Sequence, residues 1–175
     1  EGSAFIACTR LTSITIPDRV TSIGGEAFSG CTSLKSITIP DSVTNLGDGA
    51  FNDCTSLTNI TIPDSVTSIG NGAFYNCTSL TSITIPDSVT SIGQQAFADC
   101  RGLKSITIPD RVSYIGAFAF AECNSLRAVT FLGDAPKAGQ RVFSPSPPII
   151  YRKPEAKGWG DTFGGRPVKL ISEKP

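Results

Sequence analysis

CTSLTSITIPDSVTSIGQQAFAD, residues 77–99, is the stretch that decides the fold. Residues 54–76 differ from it at only five positions, and cysteines stand at 8, 31, 54, 77, 100 and 123, each 23 residues after the last. A period of that size, held without slippage, belongs to the stacked coils of a solenoid. Numbered from its cysteine, a coil has apolar residues at positions 1 (Cys), 4 (Leu), 7 and 9 (Ile), 13 (Val), 16 (Ile or Leu), 20 (Ala) and 21 (Phe).

Within a coil, Leu80, Ile83 and Ile85 have the spacing of a short strand whose alternation sends Ile83 and Ile85 to one face. Pro86 and Asp87 end it, because proline lacks the N–H that a ladder needs and aspartate favours turns. A second extended piece, residues 89–92, runs to a corner at Gly93. Ala96, Phe97 and Cys100 have helical spacing, which predicts one helical turn with all three pointing inward. Parallel strands are expected near residues 11–16, 34–39, 57–62, 80–85, 103–108 and 126–131. One coil alone buries too little to offset the ordering of its backbone, so stacking is obligatory.

The pattern L-x-x-I-x-I-P-D-x-V-x-x-I-G-x-x-A-F-x-x-C resembles the BspA-like (Treponema-type) leucine-rich repeats of bacterial and protist surface proteins. The resemblance runs from Ala4 to about Phe143. It implies an α/β leucine-rich-repeat solenoid of 23-residue coils with a concave parallel β-sheet, and a role in adhesion or host contact. The segment GWGDTFGGRPV is similar to the C-terminal end of many such domains, which implies a C-terminal cap.

The chain of 175 residues reads as a single leucine-rich-repeat domain. Residues 1–7 end a preceding coil, with Ala4 and Phe5 at positions 20 and 21, residues 8–145 form six coils, and residues 146–175 form the cap. With that opening, a fragment or a processed product is expected. Coils from Cys8 to Cys100 carry I-P-D-x-V; the sixth replaces the turn with Leu132, Gly133, Asp134, Ala135 and Pro136. Residues 144–148 read as a rigid extended connector, residues 149–151 as a further strand and residues 168–171 as an edge strand. Trp159 and Phe163, four apart, are placed on a short helical turn covering the last coil, in preference to an aromatic ligand platform.

Zero net charge argues against a nucleic-acid binder. No stretch approaches 18 consecutive apolar residues, so no membrane insertion is expected. Residues 1–99 hold 3 Lys/Arg against 9 Asp/Glu, a net of −6, while residues 100–175 hold 12 against 6, a net of +6. Such asymmetry can steer partners or favour head-to-tail self-association.

Six cysteines suit a disulfide framework by number, but they recur because the coil recurs. Facing the core, each serves as a small apolar side chain, and all six are expected reduced and slow to react. Zinc would need clustered ligands such as C-x-x-C, often with His, and the chain has neither. The aspartates at position 11 (Asp18, Asp41, Asp64, Asp87, Asp110) could attract calcium along a column, but capping of their own turns by the carboxylates is preferred. Outward Ser and Thr ladders could match an ice lattice; Thr is also a good exposed strand residue. No metal and no cofactor is expected. No histidine is present and no Ser or Cys sits in a nucleophile motif, so the chain reads as no enzyme.

A specific site must draw on positions that differ between coils: 5, 12, 15, 18, 19, 22 and 23. Lys104, Arg111, Tyr114 and Arg127 are the candidate contact patch. The reading is a non-catalytic protein-binding or adhesion module, extracellular or on a bacterial cell surface, whose partner is a host or matrix protein or a surface glycan. The second reading is a structural spacer or head-to-tail scaffold, and a third is the accessory repeat domain of a larger enzyme.

Overall fold

Each 23-residue unit closes one turn of a solenoid in this computed structural model, which describes residues 2–174. In chain order the strands are β1 (Ser22–Ile23), β2 (Ser36–Thr38), β3 (Asn45–Leu46), β4 (Asn59–Thr61), β5 (Ser68–Ile69), β6 (Ser91–Ile92), β7 (Ser105–Ile108), β8 (Tyr114–Ile115), β9 (Ala128–Phe131), β10 (Lys137–Ala138), β11 (Ile149–Arg152), β12 (Thr162–Phe163) and β13 (Arg166–Leu170). They stack in two columns. The piece after the Pro-Asp corner builds a six-stranded sheet, β1-β3-β5-β6-β8-β10, parallel throughout, with partners one period apart such as Ser68 and Ser91.

The column predicted from the L-x-x-I-x-I spacing is parallel too, but it is not one sheet. β2 pairs with β4 alone, and β7, β9, β11 and β13 form a second piece, edged by β12, which runs antiparallel to β13. Thr15 adds a single bridge to Thr38. Residues 82–85 form no strand, and the nearest link to the next coil is Lys104 N–H to Thr81 O at 3.4 Å. The fourth coil is held instead by its other ladders, including Ser91 to both neighbours. Ser82 and Thr84 are exposed, so water has access to this stretch.

The third side of each coil corrects the expected helical turn. Residues at positions 19 and 23 have positive φ, as at Gln95 (55°) and Asp99 (59°), and no α-helix can pass through them. The segment is a run of tight turns in which alternate N–H groups bond locally and across. Ala96, Ala98 and Cys100 donate three residues back, to Gly93, Gln95 and Phe97. Gln95, Phe97 and Asp99 donate to Ala117, Ala119 and Ala121 of the next coil at 2.8–2.9 Å. The turns still bring Ala96, Phe97 and Cys100 inward, which is why the spacing looked helical. Among the described residues the one helical element is the 3-10 turn Ile171–Glu173.

The core is a set of side-chain columns. Seven phenylalanines from Phe5 to Phe143 stack with ring centroids 5.2–5.6 Å apart and planes within 14° of parallel. At position 17 two backbones come so close that a Cβ on Gly93 would lie 2.6 Å from the Asn71 nitrogen, and one on Gly116 2.4 Å from that of Gln94. Gly93→Ala should therefore destabilise the protein by about 3 kcal/mol or more, as overpacking against rigid backbone. Gly160→Ala, whose Cβ meets nothing nearer than 3.9 Å, should stay within about 0.5 kcal/mol. Urea unfolding midpoints of the two variants make the comparison.

Thiols form a further column. Each S–H from Cys31 to Cys123 donates to the carbonyl of a phenylalanine 26 residues earlier, at 3.0–3.3 Å. Ser146, fully buried, continues the column by donating to Phe120 O at 3.1 Å. Residues 144–148 are thus no free connector: they carry Ser146 into the cysteine's place. All six thiols are free, five buried and Cys8 half-buried. Cys8 departs from the expected burial because residues 3–7 cover only the turn side of its coil, through Ser3, Phe5 and Ala7 N–H bonds to Gly25, Ala27 and Ser29.

Loss of water around the thiols raises Cys54 and Cys123 to about 12, and Cys77 and Cys100 well above the ordinary value of 9.0. The unfolded chain gives up these protons near pH 9 and the folded chain does not. Their contribution is complete below pH 9 and is lost as pH rises, by up to about 1.4 kcal/mol per unit for each cysteine. The unfolding midpoint should hold between pH 6 and 8 and fall above pH 9, less steeply in a Cys54→Ser, Cys123→Ser variant. In the native protein a thiol reagent should label Cys8 alone.

Candidate interaction surface

The exposed side of the first column shows Ser36, Thr38, Asn59, Thr61, Ser82, Thr84, Ser105 and Thr107, an uncharged hydroxyl-rich field. Cations interrupt it at position 5, just before the strand. Lys104 and Arg127 hold that position on adjacent coils, joined by Arg127 N–H to Lys104 O at 2.9 Å. Both side chains are exposed, and the Arg127 guanidinium is steadied by Asn124 O at 2.8 Å. Lys35 has the same coil position but lies three coils away.

Arg111 and Tyr114 are not beside that pair. The chain leaves β7, turns at Pro109 and Asp110, and places Arg111 on the corner and Tyr114 on β8 in the other sheet. Tyr114 is 47% exposed and stands in register between Ser91 and Lys137. The four candidates therefore form two pairs on either side of one corner. Lys137, which sequence reasoning passed over, joins the second because it repeats Tyr114's position one coil on.

The aspartates at position 11 depart from their expected role. Their turns are closed by the backbone, as in Val89 N–H to Pro86 O at 3.1 Å. The carboxylates of Asp18, Asp41, Asp64, Asp87 and Asp110 are exposed and accept no hydrogen bond among the described residues. It is the following serine that ties coils together: Ser42 and Ser88 hydroxyls donate to Val20 and Val66 carbonyls at 2.6 Å. The described residues hold no cluster of three or more metal-ligating side chains.

The last coil is closed by aromatic packing. Trp159 and Phe163 sit edge-on to Phe131 at 4.9 and 5.3 Å, and the Trp159 indole donates to Gly133 O at 3.3 Å. They do so from a loop and from β12, not from the expected helical turn. Both rings are partly buried and pack against the core.

A profile of the BspA type leucine-rich repeat region matches six copies, over residues 1–127 and 45–151. The chain belongs to the BspA-type leucine-rich repeat family. No curated protein matches it. Among solved structures it is similar to the Treponema pallidum leucine-rich repeat protein, with 31% identity over 75% of each chain and a TM-score of 0.69. It is 39% identical to a leucine-rich cell surface protein from Faecalibacterium prausnitzii, over 69% of this chain and 38% of that one, at TM-score 0.55. A Bacteroides ovatus leucine-rich repeat protein is 28% identical over 98% of this chain and 57% of its own, at 0.63. This BspA-type chain thus spans little more than half, or less, of the second and third. At 17% identity and TM-score 0.53, the pneumococcal vaccine antigen PcpA shares the fold. No helix among the described residues is long and apolar enough to cross a membrane.

Proposed function

We propose that this chain is a non-catalytic binding and adhesion module of a bacterial surface or secreted protein, and that its partner is a host or matrix protein. Leucine-rich repeat solenoids are typically scaffolds for recognition, and two of the similar proteins are described as a cell surface protein and a vaccine antigen. The observation that carries the reading is the Lys104–Arg127 pair beside a rigid hydroxyl field, with Arg111, Tyr114 and Lys137 around the next corner. Cations and an exposed aromatic on a preordered surface suit an acidic protein segment, because little entropy is lost on contact.

Immobilised purified matrix proteins, read by biolayer interferometry, test it. At least one should bind, and Lys104→Glu with Arg127→Glu should weaken that binding at least tenfold, whereas Lys35→Glu should leave it unchanged. The acidic first half and basic second half favour a second reading, an end-to-end spacer. Its association should fade as the screening length drops from about 10 Å at 0.1 M salt to about 3 Å at 1 M. Sedimentation showing salt-sensitive chains, together with no binding to any matrix protein, replaces the adhesion reading with the spacer.

A further inference from the structure

The turn side of the solenoid carries a trench of about 500 Å³ that no motif announced. Its lining consists only of coil positions 18, 19 and 22, all among those that vary between coils. One rail is the position-18 column Asp48, Asn71 and Gln94; the other is Asn52 and Tyr75 at position 22. Position 19 runs between them. In the two middle coils it is glycine, Gly49 and Gly72, and in the flanking coils it is Glu26 and Gln95. Exposed side chains therefore stand at the two ends, and bare backbone lies between them. Three coil steps of about 4.8 Å set the length near 14 Å.

The rail is prearranged. Asn71 donates its backbone N–H to Asp48 Oδ1 at 2.7 Å and its side-chain amide to Oδ2 at 3.1 Å; Gln94 N–H donates to Asn71 Oδ1 at 2.8 Å. Across the trench, Asn52 is held by its amide donating to Ser29 Oγ at 3.4 Å. These bonds fix Asp48 and Asn71 in place and leave each with its second lone pairs or second N–H. The Gln94 and Gln95 side-chain amides make no hydrogen bond among the described residues, and all four stand beside one aromatic ring. Vicinal hydroxyls donate to carboxylate and amide oxygens and accept from amide N–H groups, and the C–H face of a pyranose packs on an aromatic ring. No Lys or Arg lines the trench, while Glu26 and Asp48 do, so carboxylated and sulfated sugars are disfavoured. An extended peptide would want an open strand edge or apolar pockets, and the trench has neither.

We propose that this trench binds a neutral oligosaccharide of two or three pyranose units, with Tyr75 as the stacking face and Asp48, Asn71, Gln94 and Gln95 as hydroxyl partners. It is separate from the cationic surface, and either assignment stands or falls without the other. The volume lies within the range of about 300–1,000 Å³ usual for small-ligand sites.

Saturation-transfer NMR on the full chain with maltotriose, cellotriose, chitotriose and a galactose-terminated trisaccharide, each at millimolar concentration, tests the proposal. A sialylated trisaccharide and an oligolysine peptide serve as anionic and basic probes. At least one neutral sugar should receive saturation, and Tyr75→Ala should weaken it at least tenfold. Gly72→Asn fills the floor without disturbing the fold. Its φ of 58° is one that asparagine accepts, and the new Cβ meets only the Tyr75 Cβ at 3.8 Å. It should abolish binding, while Tyr114→Ala should not alter it. Binding that survives Gly72→Asn or Tyr75→Ala, no transfer to any neutral sugar, or a preference for the sialylated sugar or oligolysine overturns the assignment.

Discussion

One coil rises by one interstrand hydrogen-bond spacing, about 4.8 Å, and every side chain must live directly above its own copy. Flat aromatic rings meet that condition, which is why phenylalanine runs from Phe5 to Phe143 with nearly parallel planes. Glycine meets it where the corner leaves no room for a Cβ, as at Gly93 and Gly116. Thiols meet it by donating to the phenylalanine carbonyl 26 residues earlier, and a hydroxyl does the same at Ser146. The constraint also stacks like charges, so the position-11 aspartates are tolerable only because they stand in water, where repulsion is screened.

This explains what could be read from the chain. The 23-residue period fixes which residues are copies of one another, and the alternation of Ile83 and Ile85 fixes which face is buried. The helical turn was misread because a run of turns and a helix bring positions 20, 21 and 24 to the same side. The difference lies in the sign of φ at positions 19 and 23. Its only trace in sequence is the frequency of Gly, Asn and Asp there, as at Gly30, Gly49, Asp53, Gly72, Asn76 and Asp99. The gap in the first column has no trace at all. Residues 82–85 and β7 are both Ser-Ile-Thr-Ile, yet only the second is paired, so neighbouring coils decide the outcome and not the tetrapeptide.

Surface sites follow the same division. Lys104 and Arg127 come together because they are copies one coil apart, and Tyr114 and Lys137 do so for the same reason. Distance around the circumference is another matter: Arg111 and Tyr114 are close in number to Lys104 but lie beyond the Pro109–Asp110 corner. The turn-side trench depends on three positions lying side by side, and on two glycines falling in adjacent coils. Those positions were visible as the variable ones, but their adjacency required the path of the turns.

The in-register ladders also govern how such a chain can change in length. Loss or duplication of 23 residues leaves every remaining coil with a matching neighbour, whereas a residue inserted within a ladder segment puts that segment out of register with the coils on both sides. Residues 54–76 and 77–99 look like the outcome of such a copying step. Of their five differences, one is the exposed Asn59/Ser82 on the strand face, and the other four fall in the turns, at Asn71/Gln94, Gly72/Gln95, Tyr75/Ala98 and Asn76/Asp99. Copying therefore lengthens the stack at once, and the buried ladders stay fixed while the exposed turn face is left free to diverge.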